Sequence, residues 1–284
     1  MDYDHPRLPP ELEREVFETA ALRHPRSIPR ILCVCQRSNG WIEPFLYRVV
    51  HSTDEQCVAS MARRTPEFIS SAVRALCLTS GRTIWSATDI EATLGNCTNL
   101  THLVLGSRYA RRAHLPLLAT MRLQRLAVCL HMLFGGRMRV DLTSTPTAFA
   151  SITHLDLYDD FRTPRDAIFI PSLLSTAAQI AALPALTHLR VFADLHPDVA
   201  QTFHDTARLE VIILIHLEAR EQLEVWLLQS ALRDDPRVVL ASGVEGWEDW
   251  ENGARGRVDQ WARAEKLIKA RHVGSEPRTA WWLP

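Results

Sequence analysis

The chain has 284 residues, 46% hydrophobic and 23% charged, the balance of a polypeptide with a substantial core. With 32 Lys and Arg against 33 Asp and Glu, its net charge is −1, so a phosphate-binding surface is not expected and nucleic acid is set aside as a partner. No uncharged apolar run approaches the ~18 residues needed to span a bilayer, and Met1-Asp2-Tyr3-Asp4-His5 lacks the basic and apolar segments of a signal peptide. The expectation is therefore an intracellular chain, cytoplasmic and/or nuclear, with no membrane partner.

Near the N-terminus, Leu8-Pro9-Pro10-Glu11-Leu12 opens a helix on which Leu12, Val16 and Phe17 share a face continued by Ala20 and Ala21. Proline is tolerated there because first-turn amides have no acceptor within the helix. Ser27 opens a second helix with the stripe Ile28, Ile31, Leu32 and Cys35, and Trp41, Phe45 and Leu46 indicate a third. A bundle this small is not very stable alone and needs a partner, or the following domain, over its remaining apolar face. The six cysteines, Cys33, Cys35, Cys57, Cys77, Cys97 and Cys129, form no C-x-x-C pair. They read as small buried or half-buried residues in a reducing compartment.

A repeat follows. The pattern apolar-x-x-apolar-x-apolar begins at Val73, Leu100, Leu123, Ile152, Leu186 and Leu209, in steps of 27, 23, 29, 34 and 23 residues. A weaker seventh copy runs to Val238 and Leu240. These steps cluster around the ~20–29 residues of a leucine-rich repeat. The last two apolar positions of each copy point to one face of a short strand. Helix patterns fall between copies: Asp89–Leu94 stopped by Gly95, Leu173–Leu183 and Leu223–Leu232. The predicted fold class is α/β: an irregular leucine-rich-repeat solenoid with parallel strands inside and convex helices outside. The ninth repeat positions, where Asn or Cys would bond loop amides, hold Gly81, Arg108, His131, Asp160, Asp194 and Leu217, of which the two Asp can substitute. Longer loops are expected around Phe134–Pro146 and Phe161–Pro171.

From Val258 to His272, Val258, Trp261, Ala264, Leu267 and Ile268 recur at helical spacing while Arg263, Lys266, Lys269 and Arg271 face elsewhere. This is expected to be a C-terminal capping helix; the acidic neighbours Asp259, Glu265 and Glu245–Glu251 argue against a membrane-surface helix. In the final stretch, Trp281-Trp282-Leu283 is costly to leave solvated and is expected to dock back. The predicted divisions are 1–50 helical, 51–241 repeats, and 242–284 cap and tail.

Residues 8–50 also resemble an F-box. Leu8-Pro9-Pro10-Glu11-Leu12, Val16-Phe17, Ile31-Leu32-Cys33-Val34-Cys35-Gln36-Arg37 and Trp41 fall in the order of that motif. With Trp247-Glu248-Asp249-Trp250 and Trp261-Ala262-Arg263-Ala264-Glu265, the chain is similar to F-box-like, repeat-bearing proteins abundant in mushroom-forming fungi. The resemblance implies that the F-box binds the Skp adaptor of a cullin–RING ubiquitin ligase through Leu8, Pro9, Leu12, Val16 and Phe17, supported by Ile31 and Trp41. It implies that the repeats recruit an unknown protein target. The alternative is a repeat scaffold whose N-terminal helices are only a structural cap.

Thr-His-Leu occurs three times in one repeat register, at Thr101, Thr153 and Thr187. His102, Arg125, His154, Asp156, Tyr158, His188, Arg190 and Phe192 should therefore share the concave strand face, whose mixed charge and two aromatics suit a protein-binding patch. Adjacent imidazoles could share a metal, but no carboxylate or thiol in the pattern completes a site. The reading is a solvated or stacked histidine column, with no metal and no cofactor assigned. There is no G-x-G-x-x-G, P-loop, H-E-x-x-H or G-x-S-x-G, so no enzymatic activity is expected.

Overall fold

The structure, a computed structural model, describes residues 8–79, 85–136, 140–164, 166–216, 220–242 and 247–283. Its centre is one sheet of eight parallel strands in chain order: β1 (Val49–His51), β2 (Ala75–Leu78), β3 (His102–Leu105), β4 (Arg125–Val128), β5 (His154–Leu157), β6 (His188–Phe192), β7 (Val211–His216) and β8 (Val238–Ser242). The fold is α/β, as expected. Every repeat copy read from the sequence ends on a strand, and the weak seventh copy is β8. The leading residues Val73, Leu100, Leu123, Ile152, Leu186 and Leu209 are all buried just ahead of their strands.

The register explains the spacing. Leu76, Leu103, Leu126, Leu155, Leu189, Ile212 and Val238 are successive partners across the sheet, forming one apolar column. Burying each such side chain contributes about 2 kcal/mol, but only against the neighbouring repeat. The column packs into one continuous core with residues of the crossover helices, among them Ile90, Leu94, Ile180, Phe203 and Leu227. Those crossovers include α4 (Glu55–Met61), α5 (Pro66–Ala72), α6 (Ala87–Asn96), α7 (Leu115–Leu118), α8 (Leu130–Leu133), α9 (Pro146–Phe149), α10 (Ile170–Ala181), α11 (Pro197–His204) and α12 (Arg220–Gln229). Helix α6 is set by a capping box between Ser86 and Asp89 and runs through Gly95, the expected stop, to Asn96.

Strand β1 was not expected, since it lies inside the segment read as purely helical. Tyr47 and Val50 occupy repeat positions in the core, but the third position is Ser52, which breaks the apolar pattern. The Ser52 hydroxyl instead donates to the Thr79 carbonyl (2.8 Å) and accepts from its amide (3.0 Å), so a buried polar group is satisfied where a leucine would sit. The three N-terminal helices, α1 (Pro10–Arg23), α2 (Ile28–Leu32) and α3 (Gln36–Leu46), gather around a small separate core of Ala21, Ile28 and Ile42. Leu46, read as part of the third apolar stripe, is exposed. So are Cys33 and Cys35, whereas Cys77, Cys97 and Cys129 are buried, as expected, with thiols pushed up to about 12 by burial.

Aromatic side chains at the start of both expected loop regions pack inward. Phe134 stacks on Phe149 with ring centroids 6.3 Å apart, and Phe161 meets Phe203 edge-on at the same separation. The loop-bonding acidic residue is Asp159, one position before the Asp160 chosen from the pattern. Its buried carboxylate accepts from the Leu130 amide (2.6 Å) and the His131 amide (2.8 Å) in the adjacent crossover. Asp160 pairs instead with Arg162 at 2.9 Å. Gly81 and Leu217 lie outside the described residues.

Two further helices, α13 (Trp247–Ala254) and α14 (Gln260–His272), do not stack beyond β8 as an end cap would; they lie on the sheet face opposite the crossover helices. On α14, Trp261, Ala264, Leu267 and Ile268 are buried and Val258 before it is exposed. Arg271 departs from the expected outward face: it is buried and donates to the Val238 carbonyl at 2.9 Å. The tail docks back. Leu240 donates to the Trp281 carbonyl (2.8 Å) and accepts from the Leu283 amide (2.9 Å), while the Arg220 guanidinium lies 4.1 Å from the Trp282 ring centre. Among the described residues, no helix is long and apolar enough to cross a membrane.

Replacing Asp159 with Ala leaves two buried amides without an acceptor, and such a loss costs about 1–3 kcal/mol per group. Asp159→Ala is expected to lower the denaturant midpoint by an amount worth about 2–3 kcal/mol, and Asp160→Ala to leave it nearly unchanged; urea unfolding of both variants checks this.

Candidate functional site

The column next to the leucines builds the candidate site. Ala75, His102, Arg125, His154, His188 and Val211 are register partners, as are Cys77, Val104, Ala127, Asp156, Arg190, Ile213 and Val239. These residues point away from the leucine core. At one end of this face, Cys77, Val104 and Ala127 form an apolar patch with Tyr158, and Trp250 of α13 covers it. At the other end, Val211, Ile213, Ile215 and Val239 pack against Trp261, Ala264, Leu267 and Ile268 of α14, with Phe192 at the margin. Between the patches runs a polar strip.

The structure therefore brings together all eight residues read as a concave face, but it roofs them with the chain's own C-terminal helices. Asp156, His188 and Arg190 are buried; His102, Arg125, His154, Tyr158 and Phe192 are half-buried. Arg125 Nη1 meets Asp259 Oδ2 at 2.5 Å, and the other Asp259 oxygen caps α14 by accepting from the Ala262 amide at 2.9 Å. Arg190 pairs with Asp156 and also donates to Gln260 Oε1 at 2.6 Å. Burial works against the Arg190 charge, but the Asp156 carboxylate outweighs it and the pKa rises. Asp249 of α13 accepts from the Gln260 amide at 3.1 Å and from Arg263 at 3.2 Å, binding the two roof helices to each other.

The imidazoles of His154 and His188 are stacked, with centroids 4.0 Å apart and planes at 16°. Trp261 stands edge-on to both, at 5.3 and 5.7 Å. Burial pulls all three strip histidines down: His102 to about 4, helped by the Arg125 charge, and His154 to about 2, helped by His188. His188 is lowered by burial against the pull of Glu265. His188 Nε2 lies 3.0 Å from Glu265 Oε1, and His154, His188 and Glu265 each offer a ligand atom within 4.8 Å of the others. These three residues can hold a metal ion. The repeat spacing revealed the two histidines but not the carboxylate, which arrives from α14 with no fixed offset. The usable signal was charge complementarity: Asp249, Asp259 and Glu265 match Arg125, Arg190 and the histidine column.

The residues read as an adaptor-binding surface divide. Leu8, Pro9, Leu12 and Val16 are exposed on the outer side of α1, beside a shallow groove bordered by Glu15 and Arg23. Phe17, Ile31 and Trp41 are partly buried in the small helical core and hold the bundle together. No family model matches the chain, nor does any curated protein or solved structure.

Gly253 of α13 sits on the Arg125–Asp259 pair: a Cβ there would lie 2.2 Å from Asp259 Oδ2 and 2.8 Å from Arg125 Nη1. Asp259 cannot move aside without giving up its cap on α14. Gly253→Ala is therefore expected to loosen the roof, seen as faster amide hydrogen exchange in residues 247–272, with the β5 and β6 amides of the sheet ladder still protected.

Proposed function

We propose that the protein is a non-enzymatic interaction module whose N-terminal helices dock on a Skp-type adaptor, making it a substrate receptor of a Skp–cullin–F-box ubiquitin ligase. The repeat region, read as an irregular leucine-rich-repeat solenoid, is the target-recruiting part. The observation that carries this reading is the exposed apolar row of Leu12 and Val16 on α1, continued by Leu8 just ahead of it, with relative exposures of 48%, 57% and 45%. A helix normally turns such a row into its own core; here the bundle's core is built from Phe17, Ala21, Ile28 and Ile42 instead, and the row is free for a partner helix.

The roof over the sheet's second face changes where the target would bind. While α13 and α14 are seated, Tyr158, Arg190 and Phe192 are occupied by them, and a target reaching those residues must first displace the roof. The second reading, a repeat scaffold with a structural N-terminal cap, draws on the contacts that tie the bundle to the repeats, including the ion pair of Glu43 on α3 with Arg64 between α4 and α5.

Co-purification with a Skp adaptor separates the two. Leu12→Asp with Val16→Asp alters only exposed side chains, so the chain is expected to keep its circular dichroism spectrum and melting temperature while adaptor capture falls by more than tenfold. Absence of adaptor from the wild-type complex would sink the ligase reading. Phe17→Asp is a poor probe, because Phe17 belongs to the bundle core.

A further inference from the structure

We propose that His154, His188 and Glu265 form a binding site for a divalent zinc-type cation, which ties helix α14 to strands β5 and β6. The inference rests on three ligand atoms that lie within 4.8 Å of one another and on threonines that hold each Nδ1. In each Thr-His-Leu copy, the threonine hydroxyl contacts both a carbonyl of the preceding repeat and the Nδ1 of the following histidine. Thr153 Oγ1 is 3.1 Å from the Gln124 carbonyl and 2.8 Å from His154 Nδ1. Thr187 Oγ1 is 3.3 Å from the Thr153 carbonyl and 2.8 Å from His188 Nδ1. A hydroxyl has one proton. Each carbonyl already accepts from the backbone amides of the threonine and the histidine, so two arrangements satisfy these contacts: the hydroxyl donates to Nδ1, or Nδ1–H donates to the hydroxyl oxygen, which is the tautomer a metal selects. A neutral ring in that tautomer leaves the Nε2 lone pair bare.

At His188 that lone pair faces a carboxylate oxygen 3.0 Å away. In this tautomer the two acceptors repel each other and both attract a cation placed between them, whereas in the other tautomer Nε2–H donates to Glu265. A cation held by both Nε2 atoms and the carboxylate removes the conflict. With metal–nitrogen and metal–oxygen bonds of about 2.0–2.2 Å, ligand atoms in a tetrahedral site stand roughly 3.3 Å apart, close to the His188–Glu265 separation. The parallel rings need to turn toward each other to converge on one ion. The Nδ1–H···Oγ bonds are the outer contacts that fix tautomer and orientation in metal-binding histidines. Glu265 is half exposed, with 54% of its side chain accessible, which leaves an entry path and a fourth position for water.

The histidine column alone does not make the site. His102 belongs to the same register but is separated from the pair by Arg125, whose charge repels a cation. Two stacked rings from adjacent repeats supply two ligands, and only the seated helix supplies the third.

The test uses the full chain stripped with chelator and titrated with Zn2+ and Co2+. Expected are one tightly bound ion per chain, a tetrahedral Co2+ absorption band, and a higher melting temperature with Zn2+. Glu265→Gln changes only a half-exposed group, so it is expected to keep the apo melting temperature while weakening metal binding by at least tenfold and abolishing the Zn2+-induced rise. His154→Ala with His188→Ala should remove binding. Stoichiometric binding that is equally tight in Glu265→Gln, or a wild-type chain that binds no ion at micromolar Zn2+, overturns the proposal. So does an NMR titration of the metal-treated chain in which His188 Nε2 carries a proton, because that nitrogen then donates to Glu265 and cannot be a ligand.

Discussion

Everything in this molecule depends on a constraint no single repeat can meet: a four- or five-residue strand cannot bury its apolar side chains against its own helix alone. Leu76, Leu103, Leu126, Leu155, Leu189, Ile212 and Val238 lie side by side only because each strand pairs in parallel with the next in fixed register. Slipping one strand by a residue would turn its leucines onto the opposite face and its His or Arg into the core. The polar column is therefore placed by the same register as the apolar one. Whatever the second face does, its geometry is inherited from the leucines behind it.

This dependence explains what could be read from the chain. The strands were legible because Leu-x-x-Leu-x-Leu has a strict period of two at its end, and the His, Arg and Asp positions followed from alternation. Where a polar group took over an apolar job, legibility failed: Ser52 bonds a neighbouring backbone in place of a leucine, and β1 was hidden. Asp159 was missed for a related reason. The crossover after β5 shifts the loop-bonding carboxylate by one residue, and no local pattern marks that shift.

The roof was the least legible element. Its helix was plain from the spacing of Trp261, Ala264, Leu267 and Ile268, but an amphipathic stripe says only that something is covered, not what. An end cap and a lid across the sheet have the same periodicity. Complementary polar groups distinguish them, because Asp259 and Gln260 find Arg125 on β4 and Arg190 on β6. Buried charges of this kind are costly unless paired. The strip thus specifies where the roof sits more than it strengthens the fold, while the flanking apolar patches supply most of the attraction.

The docked tail has a consequence for the sheet as a whole. The last strand of an open parallel sheet presents a row of bare amides and carbonyls, a template on which another extended chain can grow. Here the outward amide and carbonyl of Leu240 are already engaged by Trp281 and Leu283, and the Trp282 ring lies under the Arg220 guanidinium. The chain thereby occupies its own growing edge, and a second molecule arriving there meets a closed seam in place of a free strand.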